Sequence, residues 1–559
     1  MLRHPVTRRQ FLKAAACGTA AFTIGGCMSS GAHAPRPRKE PINFLWISCE
    51  DISPDLGCYG DKYADTPNLD RLAGQGCRYS SAFVSFPVCA PTRSSIITGV
   101  HPGTLGSMHM RTSNKGYEAV PPPEVKCFTE YLRAAGYYCT NNSKTDYQFN
   151  PPFTAWDESG KKAHWRNRPG GTPFFSVFNL TITHESQCWP KQGETLIHDP
   201  NKAAVPPYYP DTPVVRENLA RYYDNITKMD KQAGDILRQL EEDGLAENTV
   251  VFFWSDHGRG LPRCKRWPYD SGLHVPLIIR RPGVIEPATV CDDLVNLIDL
   301  APTLLSLADV PVPSYMQGRV LLGPHKGKAP NYVFGGRNRM DAGSNDHIRT
   351  ARDKRYRYIR NFAPKIDRAQ RIEYMEKMPI MQEWRRLHAE GKLNNVQNSF
   401  FQQPKPAEEL YDLANDPYEV NNLADLPRHQ QILKQMRAAL EKWIKDIADL
   451  GGLDEEELIN RMWPGRKQPV TAAPAFETTP LPDGSMRVKI TSTTRGASIG
   501  YRFGGQGRWY RFAGQGRWMI YSKPIIVKAD TAIEAKAIRI GYAESKMVQH
   551  GPTPQLKKE

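Results

Sequence analysis

Strand-length apolar runs alternate with stretches of helical periodicity along most of this 559-residue chain. No other feature constrains the fold as much. A run without a polar face must be covered on both sides, which is the situation of a strand in a largely parallel α/β sheet. Residues 42–49 (INFLWISC) form such a run, as do Phe174–Leu180 and 249–254. Between the last two, Leu219, Tyr223, Ile226, Met229, Ala233, Ile236, Leu237 and Leu240 share one face of a helix predicted over 216–242 and stopped by Gly244. Thr66 before Pro67 predicts a shorter helix with Thr66 as N-cap, and 298–308 reads as another amphipathic helix.

The pattern divides the chain. Residues 41–330 read as the main α/β domain. From 331 to 467 the strands become shorter and more polar (347–360) and a helix is predicted over 427–448, which fits a smaller α+β subdomain. The Pro-rich segment 468–474 opens a module, 468–559, rich in β-branched and aromatic residues. Within it Gly505-Gln506-Gly507-Arg508-Trp509 recurs nine residues later as Gly514-Gln515-Gly516-Arg517-Trp518, which fits an all-β sandwich with glycine turns. Trp509 and Trp518 are candidates for stacking on sugars or for the module's own core.

With 40% hydrophobic and 24% charged residues, the chain is neither disordered nor fibrous. No apolar run reaches about 18 residues, so no spanning helix is expected. The formal charge of +15 sits at the two ends: residues 1–39 carry seven basic side chains and no acid, residues 468–559 carry fourteen basic and six acidic, and 40–467 balance at 53 each. The excess therefore belongs to an address and to a module, and points to a glycan polyanion rather than nucleic acid. Removing the module is expected to weaken binding of polymer while sparing small substrates.

Residues 1–27 combine Arg8-Arg9-Gln10-Phe11-Leu12-Lys13, an apolar segment, and Ile24-Gly25-Gly26-Cys27. This resembles a bacterial twin-arginine signal ending in a lipobox, which implies the Tat export machinery as a partner. It also implies lipidation of Cys27 and a periplasmic or cell-surface protein held to the membrane by a lipid anchor. Residues 28–40 read as a polar linker. The cysteine spacings contain no C-x-x-C metal pair, and Cys49 and Cys139 read as buried small hydrophobes.

Three segments collect hard donors at or near the ends of apolar runs: Glu50-Asp51, Cys89-Ala90-Pro91-Thr92-Arg93 ahead of a helical run from Ser95, and Ser255-Asp256-His257-Gly258. In open α/β sheets ligands bind beyond the carboxyl ends of strands, and gathered carboxylates call for a hard divalent cation. At these residues the chain resembles the formylglycine-dependent sulfatases of the alkaline-phosphatase-like superfamily, in the heparan N-sulfatase-like branch. Cys89-Ala90-Pro91-Thr92-Arg93 matches the C-x-P-S/T-R signature, and Glu409-Leu410-Tyr411-Asp412-Leu413 with Asp416-Pro417 extends the likeness to about residue 450.

The resemblance implies a mixed, mostly parallel sheet flanked by helices. It implies that Cys89 is oxidised to formylglycine (3-oxoalanine) by a formylglycine-generating enzyme. Glu50, Asp51, Asp256, His257 and residue 89 would hold Ca²⁺, with Mg²⁺ as the alternative. Arg93 would orient the nucleophile, and Lys144, His184 and Lys265 would grip the sulfate and serve the leaving oxygen. The family's Lys-x-His reads Lys144-Thr145-Asp146 here, so the general base is open and His109 is a substitute candidate. Arg339 and Asp341 are candidates for sugar selection. Residues 475–548 resemble the chitobiase-type C-terminal module of secreted glycan-active enzymes. The implied activity is hydrolysis of sulfate esters or sulfamides on a sulfated glycan; a phosphonate or phosphodiester hydrolase and a catalytically silent glycan-binding lipoprotein are the alternatives.

Overall fold

In chain order the first nine strands are β1 (Asn43–Cys49), β2 (Cys77–Phe83), β3 (Tyr138–Asn142), β4 (Glu158–Ser159), β5 (Phe174–Leu180), β6 (Thr249–Ser255), β7 (His274–Arg280), β8 (Thr289–Cys291) and β9 (Val295–Asn296). They build one sheet in the order β4-β3-β5-β1-β6-β7-β2-β8, with β9 beside β2; only the β6–β7 and β7–β2 pairings are antiparallel. The computed structural model describes residues 41–341, 343–504 and 517–551, and all that follows belongs to the unit beginning at Ile42. Every residue of β1 and β6 is buried, and alternate β1 side chains enter opposite cores: Leu45, Ile47 and Cys49 on one face, Phe44 and Trp46 on the other. The fully apolar runs are thus strands covered on both faces.

The long amphipathic helix runs over Pro213–Glu242, starting three residues before its predicted beginning because the Thr212 side chain accepts from Val215 N–H. At Pro67–Gly74 the helix forms, but Thr66 does not cap it. Its hydroxyl instead accepts from Gly57 N–H at 2.9 Å and lies 3.2 Å from Asp70 Oδ1. The region read as a smaller subdomain contributes β10 (Val333–Arg337), β11 (Ile348–Arg352), β12 (Tyr356–Asn361) and β13 (Glu408–Asp412), an antiparallel sheet carrying the helix Gln430–Asp446.

The C-terminal module has two antiparallel sheets. One joins β14 (Ala475–Pro480), β15 (Ser485–Thr491) and β18 (Ile525–Lys528). The other joins β16 (Ser498–Gly504), β17 (Met519–Ile520), β19 (Ala532–Ile538) and β20 (Val548–His550). They enclose a core of Val488, Ile490, Ile499, Ile533, Ala535 and Ala537. Trp518 is not in that core: its ring packs edge-on against Phe153 of the main domain at 5.4 Å, and its carbonyl accepts from Arg133. The Gly-Gln-Gly-Arg repeat with Trp509, and the signal with Cys27, lie outside the described residues apart from Arg517 and Trp518. The nine described cysteines are all free thiols, and Cys49 and Cys139 are fully buried. Among the described residues no helix is long and apolar enough to cross a membrane.

Candidate active site

The sheet order decides which side chains meet. β5, β1 and β6 are parallel neighbours, with Ser48 opposite both Asn179 and Trp254, so their carboxyl ends deliver Asn179, Glu50-Asp51 and Asp256-His257 to one edge. Cys89 is the first residue of the helix Cys89–Thr98, which starts six residues before the predicted helical run. Arg93, one turn on, shares its face. The Arg93 guanidinium donates to Asp256 Oδ2 at 2.9 Å and Asn179 Oδ1 at 2.7 Å, and stands 3.7 Å from Glu50 Oε1.

Beyond these strand ends lies a cavity of about 280 Å³ with Cys89 in its wall. Four cationic side chains line it: Arg111, Lys144, Lys265 and Arg266. Lys265 is 1% exposed and sits 2.7 Å from Asp51 Oδ2 and 3.0 Å from Glu185 Oε1, which hold its pKa up against the opposing effect of burial. Arg266 forks onto Glu185 at 2.6 and 2.8 Å and reaches Asp341 at 3.4 Å. Lys144 pairs with Glu50 and lies 3.4 Å from Asp146 Oδ2. Burial pushes the Cys89 thiol far above its ordinary range, with Asp146 adding to the effect, so the unmodified side chain is a protonated, weak nucleophile.

Backbone strain concentrates here. Asp51, Arg111, Asp146, Arg266 and Asp341 all have left-handed backbones, with φ between +48° and +78°. Each such position costs about 1–3 kcal/mol and persists only where the surroundings enforce it, the usual mark of a functional site.

His184 lines the cavity, and its Nδ1 accepts from Ser186 N–H at 3.3 Å, which leaves Nε2–H as the donor of the neutral ring. Burial, then Lys265, lowers its pKa to about 4. Asp341 also lines the cavity. Two sequence candidates do not reach it. His109 is fully buried behind Met110 and Arg111, facing Glu455, Arg339 and Arg349, so it is no substitute for the absent histidine. That place is taken by Asp146, whose negative charge acts on Cys89 and whose carboxylate pairs with Arg111. Arg339 turns away into a fork on Glu455 at 2.7 and 2.8 Å and binds the Met110 carbonyl; it is a strut between segments and not a sugar contact.

The strand-end cluster suits a cation. His257 Nδ1 faces the Gly258 carbonyl at 3.0 Å and must donate to it, so in the neutral ring Nε2 presents a lone pair. That lone pair lies 3.0 Å from Asp51 Oδ1 and 3.6 Å from Asp256 Oδ1, and neither His257 Nε2 nor Asp51 Oδ1 has a hydrogen-bond partner. Acceptors facing acceptors at full burial form the donor set of a divalent cation. A second grouping, Asp51, His184 and Glu185, is already neutralised by Lys265. Glu50 stands beside the first cluster, held by Lys144.

Sequence reasoning missed Asn179, Arg111, Glu185, Arg266 and Tyr374. Asn179 is the polar exception near the end of an apolar strand, and Glu185 and Arg266 adjoin residues already singled out. Arg111 and Tyr374 carry no local signal.

A basic pocket around a helix-borne residue, next to a hard-cation site at parallel strand ends, suits a tetrahedral oxyanion. The class so defined is that of α/β hydrolases cleaving esters of mineral acids. Comparison with known proteins decides which acid. Residues 42–310 match the Sulfatase family model, and residues 263–400 match that of N-sulphoglucosamine sulphohydrolase, C-terminal. An ulvan-active sulfatase of Formosa agariphila is 42% identical over 553 residues, 91% of each chain. Human N-sulphoglucosamine sulphohydrolase is 26% identical over 463 residues, 73% of this chain and 90% of that one. The chain belongs to the sulfatase family. Its fold is shared with a 2-O GAG sulfatase (TM-score 0.55, 20% identity, 73% of this chain and 93% of that one). It is shared equally with a phosphonate monoester hydrolase of Silicibacter pomeroyi (TM-score 0.56, 17% identity, 73% and 96%), so fold likeness alone does not choose between sulfur and phosphorus.

Proposed function

We propose that this sulfatase removes O-sulfate groups from a sulfated polysaccharide after export, tethered through Cys27. The convergence of four cationic side chains on the cavity wall that holds Cys89 carries this reading. The 42% identity to an ulvan-active sulfatase supports a polysaccharide substrate. A cavity of about 280 Å³ has room for one sulfated sugar unit, so the rest of a polymer leaves across the rim.

Oxidised to formylglycine, Cys89 would supply the nucleophile, and Asp51, Asp256 and His257 would hold a divalent cation that would supply Lewis-acid polarisation of a sulfate oxygen. Calcium is the cation proposed, because the donor set is oxygen-rich. Lys144, Lys265, Arg111 and Arg266 would bind the sulfate oxygens and balance the charge that grows on them. Arg93 fixes the Asp256 carboxylate. Asp146 sets a negative charge beside position 89 and is itself balanced by Arg111. His184, neutral above about pH 4, offers its Nε2–H to the leaving oxygen.

Protein co-expressed with a formylglycine-generating enzyme should release sulfate from ulvan oligosaccharides faster than it hydrolyses N-sulfoglucosamine or an aryl phosphonate. Dominant phosphonate turnover would overturn the reading. An unmodified thiol in the Cys89 peptide of natively produced protein, seen by mass spectrometry, would favour the glycan-binding alternative.

A further inference from the structure

The cavity lining is charged or polar almost throughout, with one exposed aromatic exception. Tyr374, 41% exposed, stands at its edge, its ring edge-on to His184 at 6.0 Å between centroids. Tyr374 belongs to the short helix Glu373–Glu376, far in sequence from the His184 loop. Trp189, at the end of that loop, lies 5.3 Å from the Tyr374 ring at 47° and donates its indole N–H to the Tyr374 carbonyl at 3.3 Å. The two rings are therefore fixed to each other and to the leaving-group side of the site.

One ammonium group flanks this ledge, and a second stands on the loop that carries Trp189. Lys377 Nζ is 5.1 Å from the Trp189 ring and 6.0 Å from the Tyr374 ring, and is drawn to Glu373 at 2.6 Å. Lys191 donates to the neutral Gln187, itself a cavity residue, at 3.0 Å. An exposed aromatic surface loses solvent when the C–H face of a sugar ring covers it, and ammonium groups at its margin suit an anionic substituent.

We propose that Trp189, Tyr374, Lys191 and Lys377 form a binding site for the acidic sugar next to the sulfated unit, on the leaving-group side. This rests on the polysaccharide reading above. The anionic substituent is a carboxylate or a second sulfate, which share the same recognition chemistry. The ledge then accounts for how a cavity sized for one sugar selects a polymer.

The test compares four probes on the mature, full-length enzyme: a monosaccharide sulfate, a tetrasaccharide with a uronate beside the sulfated unit, its carboxyl-reduced form, and a tetrasaccharide with a neighbouring sulfate. The wild type should prefer the anionic tetrasaccharides to the monosaccharide through KM. Tyr374→Ala should reduce that preference by about tenfold, the order of a single aromatic contact, while Tyr374→Phe keeps the ring and the preference. Lys191→Gln with Lys377→Gln should remove the distinction between the uronate and carboxyl-reduced probes. If the carboxyl-reduced probe is as good as the uronate while the sulfated one is preferred, the substituent is a sulfate. Calorimetric titration with the desulfated tetrasaccharide supplies a readout without turnover and should show the same order of variants. Equal losses on monosaccharide and tetrasaccharides in Tyr374→Ala, or no preference for any tetrasaccharide in the wild type, would overturn the ledge. A wild type that binds the desulfated tetrasaccharide in this order yet releases no sulfate would overturn the function proposed above and leave the ledge standing.

Discussion

Asp146 stands where the resemblance to the family implies a histidine, and its surroundings supply the charge it needs. A histidine there would be neutral or cationic, whereas the carboxylate is anionic and needs cations, which Arg111 and Lys144 provide. Asp146→Asn should keep the shape but remove the charge beside position 89 and unpair Arg111, lowering kcat by about 100-fold, the cost typical of losing one oriented polar group, with a smaller change in KM. Steady-state kinetics on an aryl sulfate, with the formylglycine content of the Cys89 peptide checked by mass spectrometry, decides this; unchanged kcat would show that Asp146 is only a surface for Arg111. Asp256→Ala should abolish metal retention, read by elemental analysis after dialysis. It should also lower the melting temperature measured without metal, because Arg93 loses its buried partner. Of the residues legible in sequence, Glu50, Asp51, Cys89, Arg93, Asp256 and His257 lie on or next to short apolar strands and one signature helix, while Lys144, His184, Lys265 and Asp341 lie in loops that line the cavity. Arg111 and Tyr374 were invisible because nothing local distinguishes an arginine or tyrosine whose loop happens to return to the cavity.

The helix Cys89–Thr98 shows why periodicity can fail. Its ten residues are all buried, so no polar stripe marks a face. The Ser94, Ser95 and Thr98 hydroxyls donate to backbone carbonyls within their own helix at 2.7–2.8 Å, which satisfies polar groups that would otherwise call for solvent. The loop after β6 is equally constrained. Gly260 N–H donates to the Asp51 carbonyl at 2.8 Å, and a Cβ on Gly260 would lie 2.7 Å from Asp51 Oδ2. Gly260→Ala should therefore push the carboxylate out of the cation site and weaken metal binding by about tenfold or more, as for loss of a supporting contact around a ligand. Competition with a fluorescent chelator measures it; unchanged affinity would mean that the loop yields.

At the scale of the molecule, two buried histidines (His101 and His109) and two half-buried ones (His184 and His347) contribute stability that acid removes. His101, His109 and His184 are lowered to about 4 and His347 to about 3, burial being the largest cause in each. The unfolded chain, with ordinary histidines near 6.5, binds more protons than the folded one between about pH 6.5 and pH 4. Stability contributed by these groups is therefore present above about 6.5 and lost as pH falls towards 4. Thermal melts at pH 7.5 and 4.5 should show a lower midpoint at 4.5, with proton uptake on unfolding; a higher midpoint at 4.5 would refute it.

The C-terminal module docks firmly on the main domain: Arg517 reaches Asp157 at 2.6 Å, Lys126 reaches Ser498 Oγ at 2.6 Å, and Trp518 covers Phe153. Deleting 468–559 should consequently lower the melting temperature by several degrees as well as weaken polymer binding. An unchanged melting curve would restore the picture of a detachable binding module.

By itself the sequence determined the α/β class, the strands that carry the acidic ligands, and the cysteine that marks the family, because these are short-range properties of apolar runs and contiguous motifs. Only the tertiary structure decided that His109 and Arg339 face away from the cavity and that Arg111, Glu185, Arg266 and Tyr374 face it. Those outcomes depend on how loops from distant segments pack over one sheet edge. A side chain's direction there is fixed by partners that lie tens to hundreds of residues away.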